Sequence, residues 1–211
     1  ATSAVTQTAA VKAAGLELLG SSATHTLNTT GNDIKKLAGN TGSVSLTNQG
    51  DLEISSVNTD GLTGTGTVSI STTAAGNINL LKNISASEVN LNSAGAVLRN
   101  AAAATDGIIQ ATSLLRINAG TTIGTSASRI QTDVATLSMF SGGDQFVTEA
   151  NAVTVAARTT NNGSIDIAAN GGTLTVGSST LIPASVGATI NGITAHGSGN
   201  ITLGGTSSTA D

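Results

Sequence analysis

Short bursts of alternating apolar and polar residues recur along the chain. Val44 and Leu46 flank Ser45, Val68 and Ile70 flank Ser69, and Val89 and Leu91 flank Asn90. This spacing puts the apolar pair on one face of a strand and the polar residue on the other. The series continues at Leu115/Ile117, Val134, Val153/Val155, Leu174/Val176 and Ile201/Leu203, at a mean interval of about 22 residues. A second series follows each member by 8 to 12 residues, at Leu52/Ile54, Ile78/Leu80, Val97, Ile123, Ile165/Ile167 and Ile182. A third, weaker series runs through Leu62, Ile84, Ile108, Ile130 and Val147. Between the bursts stand turn formers, among them Gly50-Asp51, Asp60-Gly61, Asp106-Gly107, Gly142-Gly143 and Gly171-Gly172. A hairpin sandwich does not require three series at one period, whereas a coil with up to three short strands per turn does. The prediction is an all-β parallel solenoid of about 22 residues per turn, with like residues stacked at roughly 4.8 Å. Residues 1–211 read as one solenoid domain. Its ends, 1–15 and 206–211, carry the pattern least, and Thr206 to Asp211 is expected to fray. Ala9 to Ala14 has the composition of a short helix, but Gly15 and Leu16-Glu17-Leu18 favour a first strand. Met139-Phe140 and Phe146 fall in the least regular turn and are expected to form a bulge that fills its own gap.

Composition agrees with a narrow interior. Gly, Ala, Ser, Thr and Asn make up 133 of the 211 residues, while aromatic residues are 1%. Any core must therefore be built of Val, Ile, Leu and Ala. Charged residues are only 9%, with a net charge of −4, and mean hydropathy is +0.19, which argues against disorder. No apolar run approaches the ~18 residues of a membrane span, so membrane insertion is not expected. An acidic balance without aromatic platforms argues against nucleic acid. There is no Cys, which removes disulfides and thiolate chemistry and is compatible with export in an unfolded state. The sequence begins at Ala1 without a basic and hydrophobic leader, which points to a processed chain or a piece of something longer.

From Leu16 to about Thr73 the order of motifs is specific. It runs Leu16-Glu17-Leu18-Leu19-Gly20, Leu27-Asn28-Thr29-Thr30-Gly31-Asn32-Asp33-Ile34, and Leu37-Ala38-Gly39-Asn40-Thr41-Gly42-Ser43-Val44-Ser45-Leu46. Asp51-Leu52-Glu53-Ile54, Val57-Asn58-Thr59-Asp60-Gly61-Leu62 and Gly66-Thr67-Val68-Ser69-Ile70 follow. The ordered set resembles the repeat regions of filamentous-haemagglutinin-like large exoproteins of Gram-negative bacteria. Gly76-Asn77-Ile78-Asn79-Leu80, Gly163-Ser164-Ile165-Asp166-Ile167 and Gly199-Asn200-Ile201-Thr202-Leu203 carry the same signature through nearly the whole chain. The resemblance implies a right-handed parallel β-helix, secretion through an outer-membrane transporter by a two-partner or related route, and a role in adhesion or surface structure. The chain departs from the family's amino-terminal secretion domain, since with Pro183 as its only proline it has no Asn-Pro-Asn-Leu-like motif.

Residues capable of chemistry are few. His25 and His196 are expected at opposite ends of the rod as solvated face residues, too far apart to share a metal. Gly64-Thr65-Gly66 lacks the third glycine of a dinucleotide fingerprint, because Ser69 stands there, and Gly197-Ser198-Gly199 is too short for a nucleophile elbow. Asp51 and Glu53, at i and i+2 on one strand face, lie about 6.7 Å apart, within the separation of an inverting glycosidase. Their turn offers no aromatic platform, so they read as solubilising charges. The eight aspartates follow no fixed phase of the repeat, which argues against a calcium-bound roll. Asn-x-Ser/Thr triplets at Asn28, Asn83, Asn162 and Asn200 are no more than chance supplies, and Thr24-His25-Thr26, Thr63 to Thr67 and Thr173-Leu174-Thr175 share no phase that would make an ice-binding array.

The expectation is a non-enzymatic extracellular structural or adhesive β-helix segment of a secreted bacterial surface protein, without catalytic, cofactor or metal residues. Its expected partners are a surface glycan or protein, further copies of itself, and an outer-membrane transporter during secretion. A self-assembling surface-layer or fibre subunit is the alternative, since solenoid ends carry unpaired strand edges. A polysaccharide lyase or glycoside hydrolase stands further off.

Overall fold

Alternation at Val44, Ser45 and Leu46 sends the two aliphatic side chains inward, and the same pattern one period later sets Val68 beside Val44 and Ile70 beside Leu46. Repeated along the chain, this produces a parallel β-solenoid of about 8 turns, with equivalent strands about 21 residues apart. The computed structural model describes residues 3–161, 163–177, 193–197 and 201–203, of which strand is the dominant element and helix is absent. Every pairing between named strands is parallel, and all but the short pair β2 (Lys12–Ala13) and β4 (Asp33–Ile34) belong to one continuous sheet. Backbone N–H and C=O groups are thus satisfied between coils, along the axis.

Three ladders fill the interior. The first stacks Val44, Val68, Val89, Leu115, Leu137 and Val155, each no more than 2% exposed. The second stacks Leu52, Ile78, Val97 and Ile123, then Gln145 and Ile165. The third stacks Leu62, Ile84 and Ile109, then Thr132, Glu149 and Ala169. Each fully buried Leu or Ile contributes about 1.5–3 kcal/mol. At one corner the inward residue is a hydroxyl that ties down the following turn. Thr72 Oγ1 donates to the Gly76 carbonyl at 2.6 Å, Ser141 Oγ to that of Gly143 at 2.5 Å, and Thr159 Oγ1 to that of Gly163 at 3.2 Å. Coils approach so closely here that a Cβ on Gly142 would stand 2.1 Å from the Gly120 carbonyl oxygen.

Strand lengths differ from the sequence reading in a regular way. In β5 (Lys36–Gln49), β10 (Ile84–Ser93) and β12 (Ile108–Ala119) the third series of one coil runs straight into the first series of the next. The loops that interrupt the coil lie between the second and third series, at 55–61, 100–107 and 124–129, and are gone by β15 (Gln145–Glu149) and β17 (Ile165–Ala169). Loop loss shortens the later coils: Leu137 and Val155, 18 residues apart, are direct neighbours.

Several assignments change because register is set by neighbours and not by apolar character. Leu137 and Met139, not Val134, occupy the first ladder in that coil, while Val134 stacks on Ala111. Val155, not Val153, stands on Leu137, a slip of two residues. Ile109 faces the core in place of Ile108. Met139 and Phe140 lie in the regular strand β14 (Thr136–Ser141) and Phe146 in β15, so there is no bulge; Met139 is fully buried on Ile117. The amino-terminal residues join the coil, with β1 (Ala4–Thr6) pairing with β3 (Leu16–Leu27) and Lys12-Ala13 forming strand, not helix. Ile182, Pro183, Asn162, Gly199-Asn200 and Thr206 to Asp211 lie outside the described residues.

Candidate binding groove

Outward positions carry the accessible chemistry. Along one line of the third-series strands, Asn40 pairs with Thr63, Thr63 with Ser85, Ser85 with Gln110, and Gln110 with Asp133. One hydrogen-bonding side chain per coil therefore points out, at roughly 4.8 Å intervals. Over the coils of β10, β12 and β13 (Ile130–Val134) this track borders a groove of about 520 Å³. Ser85, Gln110, Thr112, Asp133 and Asn151 supply its polar atoms, and Ala86, Ala111, Val134, Ala135 and Ala152 supply its small apolar walls.

Asp133 is held at the centre. Asn151 Nδ2 donates to its Oδ1 at 2.7 Å, and Gln110 Nε2 approaches Oδ2 at 3.4 Å. Directly behind lies Glu149, with no solvent exposure. Its carboxylate accepts from Thr132 Oγ1 at 2.6 Å, from the Val134 N–H at 3.1 Å and from the Asn151 N–H at 3.1 Å. Burial pushes the Glu149 pKa upward; the bonds from Thr132, Asn151 and Val134 pull it down less strongly, and the nearby Asp133 charge adds to the rise. Glu149 thus anchors the backbone of two groove residues without reaching the groove.

Farther along the same sheet, Arg129 staples three coils. It donates to the Val147 carbonyl at 2.7 Å, to Thr148 Oγ1 at 3.0 Å and to both Asp166 carboxylate oxygens at 2.9 and 3.0 Å, with its guanidinium 6.0 Å from the Phe146 ring centroid. Arg158 stacks on Phe140 at 4.6 Å. Both aromatic rings are covered by arginine from an adjacent coil.

The residues considered from sequence fall elsewhere. Asp51 Oδ1 accepts the Asn77 N–H at 2.7 Å, so it fastens the next coil, and Glu53 is half-buried beside it in β6 (Leu52–Ile54). His25 is not solvated. Strand parity places it inward with Ala23 and Leu27, between Val5 and Val44, at 6% exposure and with neither ring nitrogen hydrogen-bonded. His196 belongs to β19 (Ile193–Gly197), whose backbone pairs with β17. Among the described residues no three His, Asp or Glu side chains gather as a metal site, and no helix is long and apolar enough to cross a membrane. Sequence reasoning missed Gln110, Asp133, Asn151 and Glu149. The intervals of 23 and 18 residues between the first three are those of the local coils, a signal that appears only once the coil lengths are known.

No match to the chain emerged from comparison with family models, with curated proteins or with solved structures.

Proposed function

We propose that this chain is a non-catalytic, extracellular segment of a bacterial surface protein, a stiff spacer that displays and adheres. The observation that supports it best is the pairing of an unbroken axial hydrogen-bond ladder with an exterior of stacked, mostly uncharged hydrogen-bonding side chains. Thr6, Thr26, Ser45, Ser69 and Asn90 form one such column, and Asn40, Thr63, Ser85 and Gln110 another. Such a surface makes many weak bonds to hydrated partners and offers little for covalent chemistry. The motif order from Leu16 to Thr73, with its resemblance to filamentous-haemagglutinin-like exoproteins, supports secretion through an outer-membrane transporter. Protease digestion of intact cells of the source bacterium tests the reading. Loss of the protein while a cytosolic marker survives is the expected result, and full protection in unbroken cells with release only on lysis overturns it.

A second reading is end-to-end assembly. The outer edge of β1 has no strand partner among the described residues, and Val5 on it is 40% exposed. That edge accepts a further strand, from a preceding coil or from a second copy. Sedimentation velocity over a wide concentration range separates the two readings: growing species support assembly, and one monomeric boundary throughout removes it.

A further inference from the structure

We infer that the groove bounded by Ser85, Gln110, Asp133 and Asn151 binds an uncharged, hydroxyl-rich sugar chain lying along the solenoid axis. The groove deepens the adhesive reading and takes its biological purpose from it.

The lining selects the ligand. It holds one carboxylate and no Lys or Arg, so sulfated, phosphorylated or uronic polymers meet repulsion without compensation. Its apolar surface is chiefly alanine, too shallow to seat the large side chains that anchor a peptide. The strands beneath already spend their backbone groups on coil-to-coil pairing, so a peptide cannot add as a strand. What remains is a set of amides, hydroxyls and a carboxylate over a floor low enough to admit a ring. Asn151 and Gln110 fix the orientation of Asp133, whose carboxylate has about four acceptor positions and so retains capacity for hydroxyl protons. The amide carbonyls of Gln110 and Asn151 add further acceptors. Glu149 bonds the Val134 and Asn151 N–H groups from below, which holds the walls in place before any ligand arrives. The in-register track of Thr63, Ser85, Gln110 and Asp133 then sets the direction of the chain, since equivalent groups repeat along the axis and not across it.

The purified protein is applied to an array of neutral, N-acetylated, sialylated and sulfated oligosaccharides, and the strongest neutral binder is titrated calorimetrically. Neutral sugars are expected to bind. Asp133→Ala, which removes the central acceptor, and Ala135→Arg, which fills the groove from an exposed position, are each expected to weaken binding about tenfold or more. Glu53→Gln, an equal change of charge outside the groove, leaves it unchanged. Circular dichroism and melting of Ala135→Arg should match the parent, which separates blockade from misfolding. No neutral binder, preference for anionic sugars, or affinity unmoved in both groove variants overturns the inference. Beads coated with the purified protein that adhere to cells while the array stays silent would leave the adhesive reading standing without the groove. Sugar binding by a protein confined to the cytosol would do the reverse.

Discussion

At the scale of single residues the interior tolerates polar groups in two different ways. Glu149 has hydrogen bonds from Thr132, Val134 and Asn151, yet burial still favours its protonated form. Its folded pKa is raised above the unfolded value of about 4.3. The folded state therefore holds the proton over a window where the unfolded chain has released it, and the associated stability is present below the unfolded pKa and lost as pH rises through the folded one. Thermal melts of Glu149→Gln should show a flatter pH profile than the parent and a higher Tm at pH 7, with the two proteins converging near pH 4. Two carbonyl-directed N–H bonds survive in that variant, and the new amide can donate to Thr132 Oγ1. His25 is the opposite case, a ring in an aliphatic ladder with both nitrogens unpartnered. An unsatisfied buried polar group costs about 1–3 kcal/mol, so His25→Leu, of similar bulk, should raise stability by an amount in that range in urea titrations.

Among elements, what holds one coil to the next varies along the rod. Toward the amino terminus the loop 55–61 reaches back two coils, where Asn58 Nδ2 and the Thr59 N–H donate to Glu17 at 2.7 and 2.8 Å. Farther on, Lys82 bridges to Asp106 at 2.9 Å and Arg99 binds the carbonyls of Ala103, Ala104 and Asp106, so a loop that would otherwise swing free is pinned to its coil. Arg129 does the same across β13, β15 and β17 with a planar fork that a lysine cannot imitate. Arg129→Ala should cost about 1.5–3 kcal/mol, and Arg129→Lys nearly as much, when measured by chemical denaturation. Little difference between Lys and Arg would mean that charge alone matters. Gly39 tests the packing between β3 and β5: its φ is +152° and a Cβ would lie 2.1 Å from the Leu18 carbonyl oxygen. Gly39→Ala should destabilise by at least about 2 kcal/mol, with faster amide exchange concentrated in those two strands.

For the whole molecule, each coil contacts mainly the coils before and after it, so stability is a sum of coil and interface contributions and unfolding proceeds from an end. Amide exchange should therefore slow progressively from β1 through β5 to β10, and uniform protection over these strands would contradict that picture. The rod also explains how a chain with almost no aromatic residues acquires a core. Thin ladders of Val, Ile and Leu need no large ring, because the backbone pairs of neighbouring coils already bring inward side chains into contact along the axis.

Periodicity and alternation were sufficient for the all-β class, the parallel solenoid, a repeat close to 22 residues and most of the buried positions, because an inward aliphatic at every second residue is a local property that sequence displays directly. Register was decided in three dimensions. Val134, Val153 and Ile108 look as apolar as the residues that displaced them, and only pairing with the neighbouring coil distinguishes Leu137, Val155 and Ile109. The same holds for His25 and Glu149, whose polarity suggests water while strand parity sends them inward. The groove depends on tertiary structure throughout. Gln110, Asp133 and Asn151 lie in coils of unequal length, and they meet because hydrogen bonds between strands, and not equal spacing along the chain, fix which residue stands on which.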